Sequence, residues 1–379
     1  MPLPRNRPVA IFAALPLLAA TLRAAPPQER IAAAPPASAA RSGADLYRAA
    51  CQTCHGADGR GNPKSLVGFD VELPDFTNCA FATPEAEADW FAIVSNGGPV
   101  RAFDRHMPAF RDALSEEEIH RVVGHLRGFC AERRWPRGDL NLPRPLVTEK
   151  AFPENEALLT TAVSRFGGAA VGNNVVYEHR IGARAQWEMS VPIELQRTDA
   201  GGWTRGLGDV AVAVKHALYH DVDRGSILSL GTEVLLPTGK ETAGFGKGVV
   251  IFEPFVSIGQ LLPSNGFVQA QAGIELPRDR RKSAREAFWR VAAGQTFFHQ
   301  RFNREWSPML EAVAAKELTK GEHTLWDVVP QLQVSLSRRH HVLINGGFQL
   351  PVNDRAERGR TFRMYLLWDW FDGGLFSGW

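Results

Sequence analysis

The sequence predicts a multidomain protein: a small all-α domain over residues 43–131, then an antiparallel all-β barrel of about twelve strands over residues 158–379. Three observations carry this expectation. Apolar residues recur at helical spacing up to Cys130, they alternate with polar ones at a period of two beyond residue 158, and all 4 cysteines, at 51, 54, 79 and 130, lie before the change.

With 379 residues, 44% of them hydrophobic and 22% charged, the chain has material for two or three packed domains. A formal net charge of +2 gives no whole-protein attraction to nucleic acid, and no nucleic-acid partner is expected. At the N-terminus, Arg5 and Arg7 precede an apolar run from Val9 to Leu22, with Ala24 and Ala25 behind it. That order reads as a secretory signal peptide over residues 1–24, too short to span a bilayer. A buried N-terminal helix is the alternative, against which stand Pro4, Pro8 and Pro16. Residues 25–42, rich in Ala and Pro, read as a tether. Export delivers the chain to an oxidising compartment.

The helical domain opens with Gly43, Leu46, Tyr47 and Ala50 on one face of a short helix, suited to cross closely over the domain's last helix. That last helix follows Ser115, which forms a capping box with Glu118, and it presents Ile119, Val122, Val123, Leu126 and Phe129 at helical spacing. Its His120 and His125 are expected to face solvent. A middle helix is expected from Pro84 to Ser95, stopped by Asn96, Gly97 and Gly98.

Between the first and middle helices lies C-x-x-C-H at Cys51, Cys54 and His55. Two thiols at this spacing can each form a thioether to one vinyl group of a porphyrin, while the adjacent imidazole is held beneath the iron, so the run reads as a covalent c-type haem site. A zinc half-site or a redox pair is the alternative for C-x-x-C alone. Met107, followed by Pro108 and placed just before the capped helix, is the candidate sixth ligand. Histidine and methionine together raise the potential and close the iron, which suits electron transfer. His106 is the rival ligand, and an ordinary core methionine is the bland reading of Met107.

These residues resemble a class I (monohaem) cytochrome c domain: the glycine and tyrosine of the first helix, CQTCHG, Gly56, Gly59 and Gly61, a middle helix ending NGG, HMPAF, then LSEEEIHRVVGHLRGF. The resemblance covers about residues 43–130. It implies one covalently attached haem c, with Cys51 and Cys54 as thioether anchors, His55 as proximal and Met107 as distal iron ligand. Cys79 and Cys130 stand outside that pattern and in an exported domain most simply form a disulfide, with two free buried thiols as the alternative.

Residues 132–157, with Pro136, Pro143, Pro145 and Pro153 among mixed charge, read as a linker. Period-two alternation follows, as in Trp187, Met189, Val191, Ile193 and Leu195 against Gln186, Glu188, Ser190 and Glu194. Strands of ~11 residues, tilted as barrel strands are, match the apolar band of an outer-membrane barrel. Twelve strands are expected to start near 158, 174, 185, 208, 226, 249, 267, 286, 305, 324, 341 and 361. Long connections near 197–207, 238–248, 278–285 and 352–360 alternate with short ones near 221–225, 263–266 and 338–340, the pattern of outer loops and periplasmic turns. Tryptophans 187, 203, 289, 306, 326, 368, 370 and 379 crowd strand ends like interfacial girdles, with core packing in a soluble β domain as the alternative. Glu188, Glu194, Glu233, Asp327 and Arg363 are expected to face the lumen. The stretch from Leu230 to Gly239, with GFGKG at 244–248, resembles a hairpin of the meta-pathway phenol-degradation outer-membrane family.

The whole arrangement resembles fused cytochrome-porin proteins, which implies a haem electron carrier in the outer membrane of a Gram-negative type of cell. The haem domain is then expected in the periplasm, at the barrel's mouth. Expected partners are outer-membrane lipid, periplasmic redox proteins and an extracellular donor or solute of unknown identity. No catalytic residue is singled out. A transport barrel with a cytochrome sensor or docking module is the alternative; an enzyme with an open haem site is a third reading.

Overall fold

The computed structural model describes residues 40–164, 170–197, 201–299 and 304–370. The expected signal peptide, most of the tether and Trp379 lie outside them.

A small helical region comes first. Ser42 caps α1 (Gly43–Ala50) by accepting from the Asp45 amide, and α2 (Gln52–His55) follows at once. Two single turns, α3 (Lys64–Val67) and α4 (Cys79–Ala82), precede α5 (Glu87–Asn96). The middle helix starts later than the spacing predicts because Ala86 is extended and acts as the N-cap. The capping box of Ser115 and Glu118 opens α6 (Glu116–Arg127), as expected.

α1 crosses α6 at Gly43, where a Cβ would lie 2.1 Å from the Arg121 carbonyl oxygen, so only glycine permits the approach. Leu46, Tyr47, Trp90, Val94, Ile119, Val122, Val123 and Leu126 form the core beneath this crossing. His125 departs from the expectation of a solvent-facing ring, packing against Tyr47 and Phe129 with ring centroids 5.1 Å from each. Arg127 lies 4.3 Å over the Trp90 ring and donates to the Glu85 carbonyl, fixing the end of α6 to the entry of α5.

Cys79 and Cys130 are joined by a disulfide that ties α4 to the end of the domain. Closing 51 residues of chain constrains the unfolded domain by ~4 kcal/mol on the chain-entropy account. The double variant Cys79→Ser/Cys130→Ser is therefore expected to lower helical-domain stability by about 2–5 kcal/mol in denaturant titration. An unchanged midpoint would show that the bond adds nothing.

Among the described residues, fourteen strands form one antiparallel sheet: β1 (Glu156–Ser164), β2 (Ala170–Ile181), β3 (Ala185–Arg197), β4 (Trp203–Leu207), β5 (Val210–Asp221), β6 (Ser226–Leu236), β7 (Ile251–Leu261), β8 (Gly266–Pro277), β9 (Glu286–Gln295), β10 (Phe297–His299), β11 (Arg304–Glu317), β12 (Leu325–Ser335), β13 (Val342–Pro351) and β14 (Thr361–Asp369). Twelve close the ring. β1 pairs with β14, with Leu159 opposite Leu366, and β9 pairs with β11, with Ala292 opposite Glu311, leaving β4 and β10 as short additions. All twelve lie close to the predicted starts, because a wall with lipid on one side and polar groups on the other imposes period two.

The outer face exposes Val175, Met189, Val214, Leu230, Ile258, Leu310, Leu332, Phe348 and Leu366. Such a continuous apolar band belongs against a bilayer. No helix among the described residues is long and apolar enough to cross one. By strand alternation Glu188, Glu194, Glu233, Asp327 and Arg363 all face inward. Trp187, Trp306 and Trp368 ring the end with short turns, while Trp289 and Trp326, 5.7 Å apart, lie at the other.

The helical domain packs on the short-turn end. Arg339 in the β12–β13 turn lies 4.2 Å over the Phe103 ring, Arg101 sits over Phe298 of β10, and Arg184 in the β2–β3 turn donates to the Arg134 carbonyl.

Candidate functional site

The first candidate site is the C-x-x-C-H turn. The His55 amide bonds the Cys51 carbonyl at 2.9 Å, making α2 one helical turn that places both thiols and the imidazole together. The chain then folds back beneath the turn: the Asn62 amide reaches the Cys54 carbonyl, the Asn62 side chain caps the Gln52 and Thr53 carbonyls, and the Tyr47 hydroxyl donates to Gly56 at 2.7 Å. Neither Cys51 nor Cys54 takes part in a disulfide. Burial, aided by the nearby Cys54, pushes the Cys51 thiol up to about 11. Burial also depresses His55 to about 4, so its imidazole is neutral and its ring lone pair is available at any ordinary pH.

Met107 reaches the same core by a separate route. The Gly98 amide bonds the Met107 carbonyl at 3.0 Å, and the Phe110 and Arg111 amides bond Val94 and Ser95 at the end of α5. A Cβ on Gly97 would lie 3.0 Å from the Met107 carbonyl oxygen, and one on Gly98 would lie 2.3 Å from that of Asp104. Hence the NGG run stops α5 and also makes room for the methionine loop. Met107 packs against the cluster containing Cys51 and Phe76, and His55 lies 5.1 Å from the Phe76 ring. His106 turns away, stacking on Phe69 at 4.5 Å and bonding Asp104.

These residues fit a haem. The Nδ1 atom of His55 is buried without a hydrogen-bond partner, two cysteines outside any disulfide share its helical turn, and the Met107 thioether borders the same apolar core. Haem bound there supplies one-electron redox chemistry.

A second feature is absent from the sequence expectations. Within the connection between the domains, residues 141–154 enter the barrel from the short-turn end, turn near Thr148 and return to β1. The Arg144 guanidinium lies 2.9 Å from Glu149 and 2.7 Å from Glu178, and also pairs with Glu156. Glu178 and Glu156 are 0% and 1% exposed. Inward-facing side chains satisfy the hairpin's backbone: Gln331 accepts from Leu146, Glu311 from Thr148, Gln271 from Glu149 and Gln186 from Glu154. The Arg144 carbonyl accepts from Tyr365 at 2.7 Å, the Pro143 carbonyl from Gln269, and the Lys150 carbonyl from Lys215. Buried backbone groups need such partners, and strands on all sides of the ring provide them.

On the long-loop side, Val147 and Glu149 floor a cavity of about 190 Å³ whose wall carries Glu188, Glu233, Glu253 and Arg290. The lumen is therefore an acidic cup above the hairpin. Long inward amides, Gln186, Gln269, Gln271, Gln331 and Gln333, were the sequence signal for a lumenal segment.

A helical domain with this donor set, set on a closed ring of strands, defines a cytochrome c domain fused to a β-barrel. Residues 38–126 match the family model described as cytochrome C oxidase, cbb3-type, subunit III. No curated protein matches the chain. Among solved structures, the NanC porin is 9% identical with a TM-score of 0.42, over 56% of this chain and 100% of that one. An outer membrane channel from Pseudomonas putida F1 is 12% identical with a TM-score of 0.39, over 60% of this chain and 99% of that one.

Proposed function

We propose that the chain is an outer-membrane haem c protein that transfers electrons between the periplasm and a donor reaching the barrel from outside. One haem is held through Cys51 and Cys54, with His55 as the proximal and Met107 as the distal ligand. Residues 1–24 direct export and are removed, and residues 25–42 tether the haem domain. The domain spans residues 43–131 and sits on the periplasmic side, since barrel rules put short turns there and it packs on the short turns.

The observation that carries this reading is the lumenal hairpin. Transport of a solute into the cell needs a continuous water path, and here residues 141–154 occupy the lumen with their backbone bonded to the wall. Electron transfer asks less of the barrel: it must hold the haem domain in place, with a partner supplying further redox centres where the hairpin keeps the donor from the haem. His55 from α2 and Met107 from the loop after α5 would together hold the haem iron, which would leave no open site for oxygen chemistry.

Membrane fractionation with haem staining tests the assignment. Haem is expected in an outer-membrane band whose gel mobility changes on heating, and the purified protein should be oxidised and reduced without turning over peroxide. Haem found only in the soluble periplasmic fraction would sink the proposal.

A further inference from the structure

Where the helical domain meets the barrel lies a cavity of about 220 Å³ walled in part by Glu85, Asp89, Glu305, His340 and His341. Asp89 belongs to α5, Glu305 to β11, and the two histidines to the turn before β13. Three of these residues, Asp89, Glu305 and His340, each bring one ligand atom within 4.8 Å of the others. Nδ1 of His340 lies 3.3 Å from Glu305 Oε1 and 3.7 Å from Asp89 Oδ1.

His340 is the unusual member. Its side chain is only 7% exposed, and although Nδ1 lies within ion-pair reach of Glu305, neither ring nitrogen meets the geometry of a hydrogen bond among the described residues. The adjacent His341 differs, lying 3.1 Å from Glu85 and pairing with Asp369. His340 also has a φ of 63°, a left-handed conformation that is unfavourable for a residue with a side chain. The turn imposes it: Ser337 Oγ accepts from the His341 and Val342 amides at 3.0 and 3.1 Å. The strain aims a buried imidazole between two carboxylates.

We propose that Asp89, Glu305 and His340 bind a divalent transition-metal ion of the Zn²⁺ class, which clamps the helical domain to the rim of the barrel. One imidazole nitrogen with two carboxylate oxygens is a donor set for such ions, whereas Ca²⁺ and Mg²⁺ favour oxygen alone. A tetrahedron with bonds of ~2.0 Å has edges of roughly 3.3 Å, close to the separation of His340 from Glu305. Arg101 donates to Asp89 Oδ1 at 2.6 Å, the oxygen that also faces His340, and a carboxylate oxygen carries lone pairs enough to accept that bond and bind an ion as well. Water in the cavity completes the coordination. Because the ligands come from both domains, an ion here joins them without a covalent bond.

Calorimetric titration of the full-length, haem-loaded protein in detergent with ZnCl₂, after treatment with a chelator, tests this. One Zn²⁺ per chain is expected. His340→Asn, which tolerates the left-handed backbone, and Glu305→Gln should each weaken binding at least about tenfold while keeping the haem spectrum. His323→Ala, at an exposed histidine in the outer connection before β12, should leave the titration unchanged. Absence of saturable one-to-one binding in the unaltered protein would overturn the site, as would unchanged affinity in His340→Asn. If His340→Asn fails to fold, Glu305→Gln decides by the same criterion.

Discussion

Replacing residues 142–150 with a short Gly/Ser linker is expected to turn a quiet barrel into a conducting one. In planar bilayers the unaltered protein should show little ion current, because the hairpin stands in the lumen and its backbone is bonded to Gln331, Glu311, Gln271 and Tyr365. Its removal leaves a water-filled ring of twelve strands, and the acidic wall of Glu188, Glu233 and Glu253 should make the new pore favour cations. Equal conductance before and after would mean that the hairpin does not obstruct the lumen, and the transport reading would gain. A companion variant separates blocking from anchoring. Arg144→Met removes the charge facing Glu149, Glu156 and Glu178, and breaking a buried pair of this kind costs about 3–5 kcal/mol. The hairpin should then loosen, giving intermittent current.

The second large effect belongs to Met107. Met107→Ala should abolish the near-infrared band of methionine-bound ferric haem and open the iron to carbon monoxide in the reduced protein. The potential should fall by an appreciable part of the roughly 0.8 V over which axial ligands set haem potentials. Haem attachment at Cys51 and Cys54 should persist, since neither thiol depends on the methionine loop. A spectrum and potential unchanged by the substitution would remove Met107 from the iron. His106 already points away, stacked on Phe69, so it is not expected to take the vacant position.

The barrel was legible because its period has a physical cause at every residue. Lipid outside and polar contacts inside force apolar and polar residues to alternate along each strand, and turns and loops mark the ends. Ser115 and Glu118 announced α6 in the same way, since the capping box is a local device. The hairpin was not legible from its own composition. Pro143, Pro145, Arg144 and Glu149 look the same in a solvated linker as in a loop whose partners are side chains of the wall. Its signature lay in the partners, the inward glutamines of β3, β8 and β12, and these gain meaning only once the ring is closed. His340 shows the same limit. Nothing near it in sequence indicates that Asp89 and Glu305 stand opposite.

The packing of the helical domain on the barrel rim also fixes its heading. Glu85, Asp89, Arg101 and Phe103 are turned toward the barrel, whereas Thr53, Lys64 and Leu66, the last 68% exposed, lie on open surface. On the proposed reading, a freely tumbling redox protein meets a haem that neither tumbles nor diffuses away. Encounters are confined to one hemisphere, and only the visiting partner's orientation remains to be searched. The membrane thus converts a three-dimensional collision problem into docking at a stationary berth.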